Sequence, residues 1–116
     1  MAYEISNSVR GPSIIRVVDP GTVTVNIANL AFNANETVTG ASIKRVMWST
    51  NGAITIARNG TTVMQLHNAG DMVLTELGQT LANTPTGTIG ITITTGGTAL
   101  VELSKTATYT TDLTGI

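Results

Sequence analysis

The stretch Ala53-Ile54-Thr55-Ile56-Ala57-Arg58-Asn59-Gly60-Thr61-Thr62-Val63-Met64-Gln65-Leu66 decides the fold class. Two alternating runs flank an Asn-Gly pair, the strongest short-range signal for an antiparallel hairpin. Side-chain period tests the loop length. A two-residue loop at Asn59-Gly60 sets Ile56 against Val63 and turns Met64 and Leu66 to solvent. A three-residue loop, Arg58-Asn59-Gly60 with Gly60 left-handed, puts Ile54 and Ile56 on one face with Thr62, Met64 and Leu66. A slip of one residue flips every side chain, so the register that buries more apolar groups is expected, the three-residue one.

Two neighbouring stretches read the same way. Ser49-Thr50-Asn51-Gly52-Ala53 lies between Val46/Trp48 and Ile54/Ile56. Thr94-Thr95-Gly96-Gly97-Thr98 lies between Ile89/Ile91/Ile93 and Ala99/Val101/Leu103. Each predicts a three-residue hairpin loop, with Gly52, Gly60 and Gly97 at positive φ. The core stripe that follows is Val46, Trp48, Ile54, Ile56, Met64, Leu66, Ile89, Ile91, Ile93, Val101 and Leu103. Trp48 is expected to point inward, and the glycines to serve the turns rather than a phosphate.

The rest of the chain fits around these hairpins. Residues 1–12 are polar, lack periodicity and end at Gly11-Pro12; they read as an N-terminal arm. Ser13–Val18 is a strand closed by Asp19-Pro20-Gly21, a turn signal. Thr22–Ile27 alternates, with Val23, Val25 and Ile27 inward. Residues 29–40 read as a loop anchored by Phe32, with a short strand at Glu36–Thr39. Residues 71–81 fit a strand lined by Met72, Leu74 and Leu77 or a short helix through Leu74, Leu77, Gly78 and Leu81; Gly78 and the brevity of the segment weaken the helix. Residues 83–87 are a loop. The expectation is one all-β domain over residues 1–116, an antiparallel β-sandwich or small barrel built from hairpins. Its β core spans 13–105, and its extended ends are the arm and an edge strand or tail at 106–116.

Composition limits the function. Six Lys and Arg against seven Asp and Glu leave a net charge of −1, with no basic stripe to track a nucleic-acid backbone. No partnership with nucleic acid is expected. The chain has no cysteine, which removes thiolate chemistry and disulfides. The N-terminus lacks the basic start and apolar run of a signal peptide, and no run is apolar enough for a membrane helix, so no membrane partner is expected. Charged residues are only 11% of the chain, against about 25% for an ordinary domain. Threonine, a strand former with a small wettable side chain, is roughly a fifth. A charge-poor surface of this kind suits a subunit that packs against copies of itself or a larger assembly.

No residue group announces chemistry. His67 is the single histidine, and Asp71 and Glu76 are its nearest carboxylates in sequence. Glu36, Asp71 and Glu76 read as loop residues able to meet at one end of a sandwich, but neither a glycosidase pair nor a calcium motif is spelled out. Asn35-Glu36-Thr37 and Asn59-Gly60-Thr61 match glycosylation sequons by chance in a Thr-rich chain. Sugar stacking would need Trp48, Tyr3 or Tyr109 exposed. The protein is therefore expected not to be an enzyme, with no catalytic, cofactor-binding or metal residue and no cofactor.

The run Ile43-Lys44-Arg45-Val46-Met47-Trp48-Ser49, the hairpin Ile54–Gly60, the strand Val63-Met64-Gln65-Leu66 and the closing Ala99–Lys105 resemble small virion proteins of tailed bacteriophages. The resemblance covers about Ile43 to Lys105. It implies a viral structural protein of the virion, a capsid decoration or cement protein on the capsid surface. Such a protein is assembled in the host cytoplasm, has the major capsid protein and itself as partners, and favours a trimer as its oligomer. The alternative it implies is a neck or tail adaptor, or a fibre-associated carbohydrate-binding β module.

Overall fold

Seven strands form one antiparallel sheet that is creased across its middle and folded on itself as a half-barrel. The computed structural model describes residues 2–7, 12–31, 36–73 and 87–109. The strands are β1 (Ala2–Asn7), β2 (Ser13–Val18), β3 (Gly21–Val25), β4 (Glu36–Arg58), β5 (Thr61–Val73), β6 (Ile89–Ile93) and β7 (Gly97–Tyr109), with a 3-10 turn at Ile27–Leu30. The expectations for Phe32, for residues 74–86 and for residues 110–116 lie outside the described residues. The all-β class holds; the connectivity differs from the hairpin reading in ways that share one cause.

The 23-residue strand β4 runs straight through Asn51-Gly52 without reversing. Its first part pairs with β7 as far as Thr50 opposite Gly97, and its last part pairs with β6 from Ile54 opposite Ile93. Strands β6 and β7 therefore lie end to end along the same edge of β4 and do not pair with each other. Residues 94–96 sit opposite 51–53, so both expected turns are bends, placed face to face. Gly52 is not among the residues at positive φ, whereas Gly96 (155°) and Gly97 (145°) are. Strands β2 and β3 repeat the pattern one step out. Val18 faces Thr98 on β7 and Gly21 faces Ile93 on β6, so Asp19-Pro20 is a bend as well. On the other side, Asn68 of β5, at φ 64°, is the single residue between Ala69 opposite Ser49 and His67 opposite Ala53.

Turn-forming residues thus line up across the sheet as one crease. Asp and Asn tolerate the left-handed conformation, and glycine adopts it without a Cβ penalty. The bend breaks ladder bonds, and hydroxyls replace them. Ala53 N–H donates to Thr94 Oγ1 at 3.0 Å, and Thr94 Oγ1 donates to Ala53 O at 3.1 Å. Thr50 Oγ1 donates to Gly96 O at 2.6 Å and accepts from Gly52 N–H at 3.1 Å. Thr95 Oγ1 donates to Asn51 Oδ1 at 3.0 Å.

The genuine hairpin joins β4 to β5. Arg58 faces Thr61 across a two-residue loop whose Asn59 (52°) and Gly60 (82°) are both left-handed, as a type I′ turn requires. The expected three-residue loop is not formed. Its predicted facing is recovered by a bulge: the register shifts between Ile56 and Ala57, Val63 is left over, and Ile56 and Ile54 then face Met64 and Leu66.

Folding at the crease closes the two leaves over one core. Ile15, Val17, Val46, Ala99, Val101 and Leu103 come from one leaf. Val25, Ile54, Ile56, Ile89, Ile91 and Ile93 come from the other. Of the expected stripe, Trp48 and Met64 are only half-buried and pack against this core from its margin. Arg58, read as a loop residue, is the last residue of β4 and is 1% exposed. It spans the leaves opposite the crease, donating to Ala41 O at 2.7 Å and Gly87 O at 3.1 Å. Burial disfavours its charge and lowers its pKa below the usual guanidinium value.

The segment read as a free arm is in the sheet at residues 2–7. Strand β1 pairs with β2 from Ala2 opposite Val18 to Asn7 opposite Ser13. Asn7 Nδ2 donates to Asn29 O and Ala31 O, at 3.0 and 3.2 Å, and so ties β1 to the 3-10 turn. Of residues 106–116, read as an edge strand or a tail, 106–109 are strand and continue β7 as far as Tyr109 opposite Glu36.

The crease makes a ranking of glycine substitutions predictable. A Cβ at Gly97 meets the Ser49 carbonyl and comes within 2.9 Å of Thr50 Cα, both backbone, at φ 145°. A Cβ at Gly60 meets nothing within 4 Å and strains only φ. Gly60→Ala should cost about 1 kcal/mol, and Gly97→Ala about 3 kcal/mol or more, in denaturant unfolding. Equal costs would mean that the crease is not a tight contact.

Candidate interaction surface

The strand order leaves β1, β3 and β5 with one edge each that has no strand partner among the described residues. Unpaired edges present rows of N–H and C=O groups able to accept another strand. The longest is β5, at 13 residues, with Gln65, His67, Asn68, Ala69 and Asp71 exposed along it. Its odd-numbered residues from 65 to 71 face outward, while Leu66 and Met72 face the core.

The outer face of the β1-β2-β7-β4-β5 leaf carries the exposed charge. Arg45 holds Asp71 in a two-pronged contact, Nε to Oδ1 at 2.9 Å and Nη2 to Oδ2 at 2.6 Å. Arg16 faces Glu4 at 3.5 Å, and Lys44 faces Glu102 at 3.7 Å. These pairs leave little uncompensated charge and are individually weak in water. Between them Met47, Leu100 and Thr98 line a shallow groove of about 250 Å³, closed at one side by Trp48, Gly70 and Asp71.

The residues weighed as chemistry are scattered over this framework. His67 is exposed on β5, opposite Ala53. Asp71, four residues on, is held by Arg45, and Glu76 lies outside the described residues. Glu36 is not a loop residue: it opens β4 and is buried, while Asp71 sits opposite Met47. Eleven residues of β4 separate those levels, on the order of 35 Å, so the expected meeting of Glu36 with Asp71 does not occur. Among the described residues no three of His, Asp and Glu come together as a metal would require. Nor does any described helix have the length and apolarity to cross a membrane.

Trp48 lies with its ring over Gly70, where a Cβ would come within 2.6 Å of it, and its indole N–H donates to His67 O at 3.0 Å. That bond fixes the ring at the core margin. Among the described residues Tyr3 is the aromatic that is well exposed, at 53%, beside Glu4, Arg16 and Val18 in a hollow of about 110 Å³. The side chain of Tyr109 is outside the description.

The feature least visible in the sequence is a buried ion pair. Lys105 Nζ donates to Glu36 Oε1 at 3.0 Å and to Leu30 O at 2.9 Å. The two side chains are 2% and 0% exposed. Alternation already placed Lys105 beyond Leu103 on the inward face of β7, which is the signal that could have found it. What that pattern lacks is the partner, which is 69 positions away.

No family model matches the chain, and no curated protein or solved structure is significantly similar to it.

Two outcomes follow from these pairs. Lys105→Met takes the ammonium partner from a buried carboxylate and should cost roughly 3–5 kcal/mol in chemical denaturation, whereas adding Glu36→Leu should recover most of the loss. At Asp71, the hydrogen bonds and charge of Arg45 hold the carboxyl below the usual carboxylate range. A carboxyl with a depressed native pKa adds stability above its unfolded pKa, near 3.9, and loses it as pH falls through the native value. An NMR titration should show Asp71 ionising at lower pH than a free aspartate, and Arg45→Ala should move it back up.

Proposed function

We propose that this protein is a non-enzymatic structural component of a tailed-phage virion, a decoration or cement protein that binds the major capsid protein and its own copies on the head surface. The observation that carries the reading is the open sheet. A folded sheet with three unpartnered edges among its described residues offers main-chain docking sites on both sides of one small subunit. Strand addition of this kind suits a subunit that must bridge neighbours on a lattice. Low charge supports it, since the surface loses little solvation when covered. The resemblance of Ile43 to Lys105 to small virion proteins points the same way.

A second reading rests on one specific site. Tyr3, exposed beside Glu4 and Arg16, has the aromatic face and polar neighbours that hold a sugar ring, as a carbohydrate-binding module at a fibre would need.

Co-sedimentation with expanded capsids separates the two. The cement reading predicts saturable binding at a fixed ratio to the capsid protein and a higher temperature of shell disruption. No binding to expanded shells, together with glycan binding lost in Tyr3→Ala, would replace the first reading with the second.

A further inference from the structure

We infer that β5 is a self-recognition edge, on which a second copy of this chain adds its own β5 antiparallel about a two-fold axis at Ala69. The inference rests on the self-association in the preceding proposal and not on a capsid. Three independent constraints select the register.

The first is facing. Leu66 and Met72 point to the core and His67 and Asp71 away from it. An added strand must keep inward residues against inward residues, or it buries the wrong face. In self-pairing about a two-fold axis, that requires the axis to pass through a residue and not between two.

The second is the crease. Within one chain, every strand laid beside another bends where its neighbour bends: 94–96 opposite 51–53, and Asn68 opposite the same corner of β4. A strand added to β5 has to bend beside Asn68. A second β5 does so only if the axis lies at or next to Asn68. With the facing rule this leaves axes at residue 67, 68 or 69, and the crease of one copy then runs on into the other.

The third is polar complementarity, an imidazole N–H donor set against a carboxylate acceptor. An axis at His67 stacks the two histidines on each other and sets Asp71 against Val63, and an axis at Asn68 sets Asp71 against Gln65. An axis at Ala69 sets His67 of each copy against Asp71 of the other, twice, and Leu66 against Met72 beneath them. His67 is exposed, and Asp71 keeps its outer surface while Arg45 holds it from the side. Ala69, small and exposed, then meets its own symmetry mate, where antiparallel Cα atoms stand about 4.5–5.5 Å apart.

That last contact supplies the test, because the native chain has no cysteine. Ala69→Cys should oxidise to a covalent dimer at low micromolar concentration. It should do so roughly ten-fold or more faster than Gln65→Cys on the same edge, because pairing at the axis raises the effective thiol concentration. Charge reversal provides a second arm. His67→Asp and Asp71→Lys should each be monomeric by light scattering, and their equimolar mixture should return to the dimer mass. Equal oxidation rates at the two positions overturn the register. A wild-type protein that is strictly monomeric, or trimeric, overturns the two-fold edge itself. A trimer that still coats expanded capsids leaves the virion reading intact, while a dimer that ignores capsids overturns that reading and supports this one.

Discussion

Everything in this structure depends on the requirement that adjacent strands bend at the same place. A hydrogen-bonded ladder cannot pass a corner on one strand while its neighbour runs straight, since the backbone groups would separate and stay unpaired. The chain meets that requirement with residues far apart in sequence, Asp19-Pro20, Asn51-Gly52, Asn68 and Thr94–Gly96, which meet along one line. The bonds between Thr94 and Ala53 and between Thr50 and Gly96 keep that line satisfied where the regular ladder stops. Once the corner is set, the two leaves face each other, and the inward valines, leucines and isoleucines of both become a single core.

The open side of the fold needs its own closure, and here a charge-poor chain spends buried charge. Arg58 reaches from the end of β4 back to Ala41 near its beginning, joining the leaves where no described strand does. Lys105 and Glu36 fasten β7 to the start of β4 under the 3-10 turn. Buried ions add little net stability over apolar residues of equal size, because desolvation offsets most of their attraction. What they contribute is selectivity. An arginine with two carbonyl partners fixes how far apart the leaves stand, which a greasy contact would leave adjustable.

Much of the local structure was legible in the sequence, and the connectivity was not. Period-two alternation correctly marked Ile54, Ile56, Leu66, Ile89, Ile91, Ile93, Val101 and Leu103 as inward, because side-chain facing is a local property of an extended chain. The turn residues misled for the same reason. Gly-Gly reports that a left-handed or otherwise unusual backbone is tolerated, which Gly96-Gly97 uses at a corner, while Gly52 serves the close approach of Thr94 and Thr95, and both look like hairpin turns in sequence. Whether the chain reverses depends on which strand lies alongside, a fact about residues some forty positions away. Even at the true hairpin, counting residues in the loop could not distinguish a three-residue turn from a two-residue turn with a bulge at Val63. The candidate surface suffered more. Strand order decides which edges stay open, and no stretch of β5 announces that it will be last in line. Arg58 and Glu36 lay in segments that read as loops, so their burial carried no local signal.

The unbroken length of β4 has a consequence in time. From Glu36 to Thr50 its partner is β7, which the ribosome delivers about fifty residues later. Until then β4 has only its hairpin mate on the opposite side, and the corner cannot form, because β6 and β7, which lie along it, are not both made. The fold is therefore completed from its C-terminal strand inward, with the slow kinetics that distant pairings impose. The chain stays without its finished shape until synthesis has passed Tyr109.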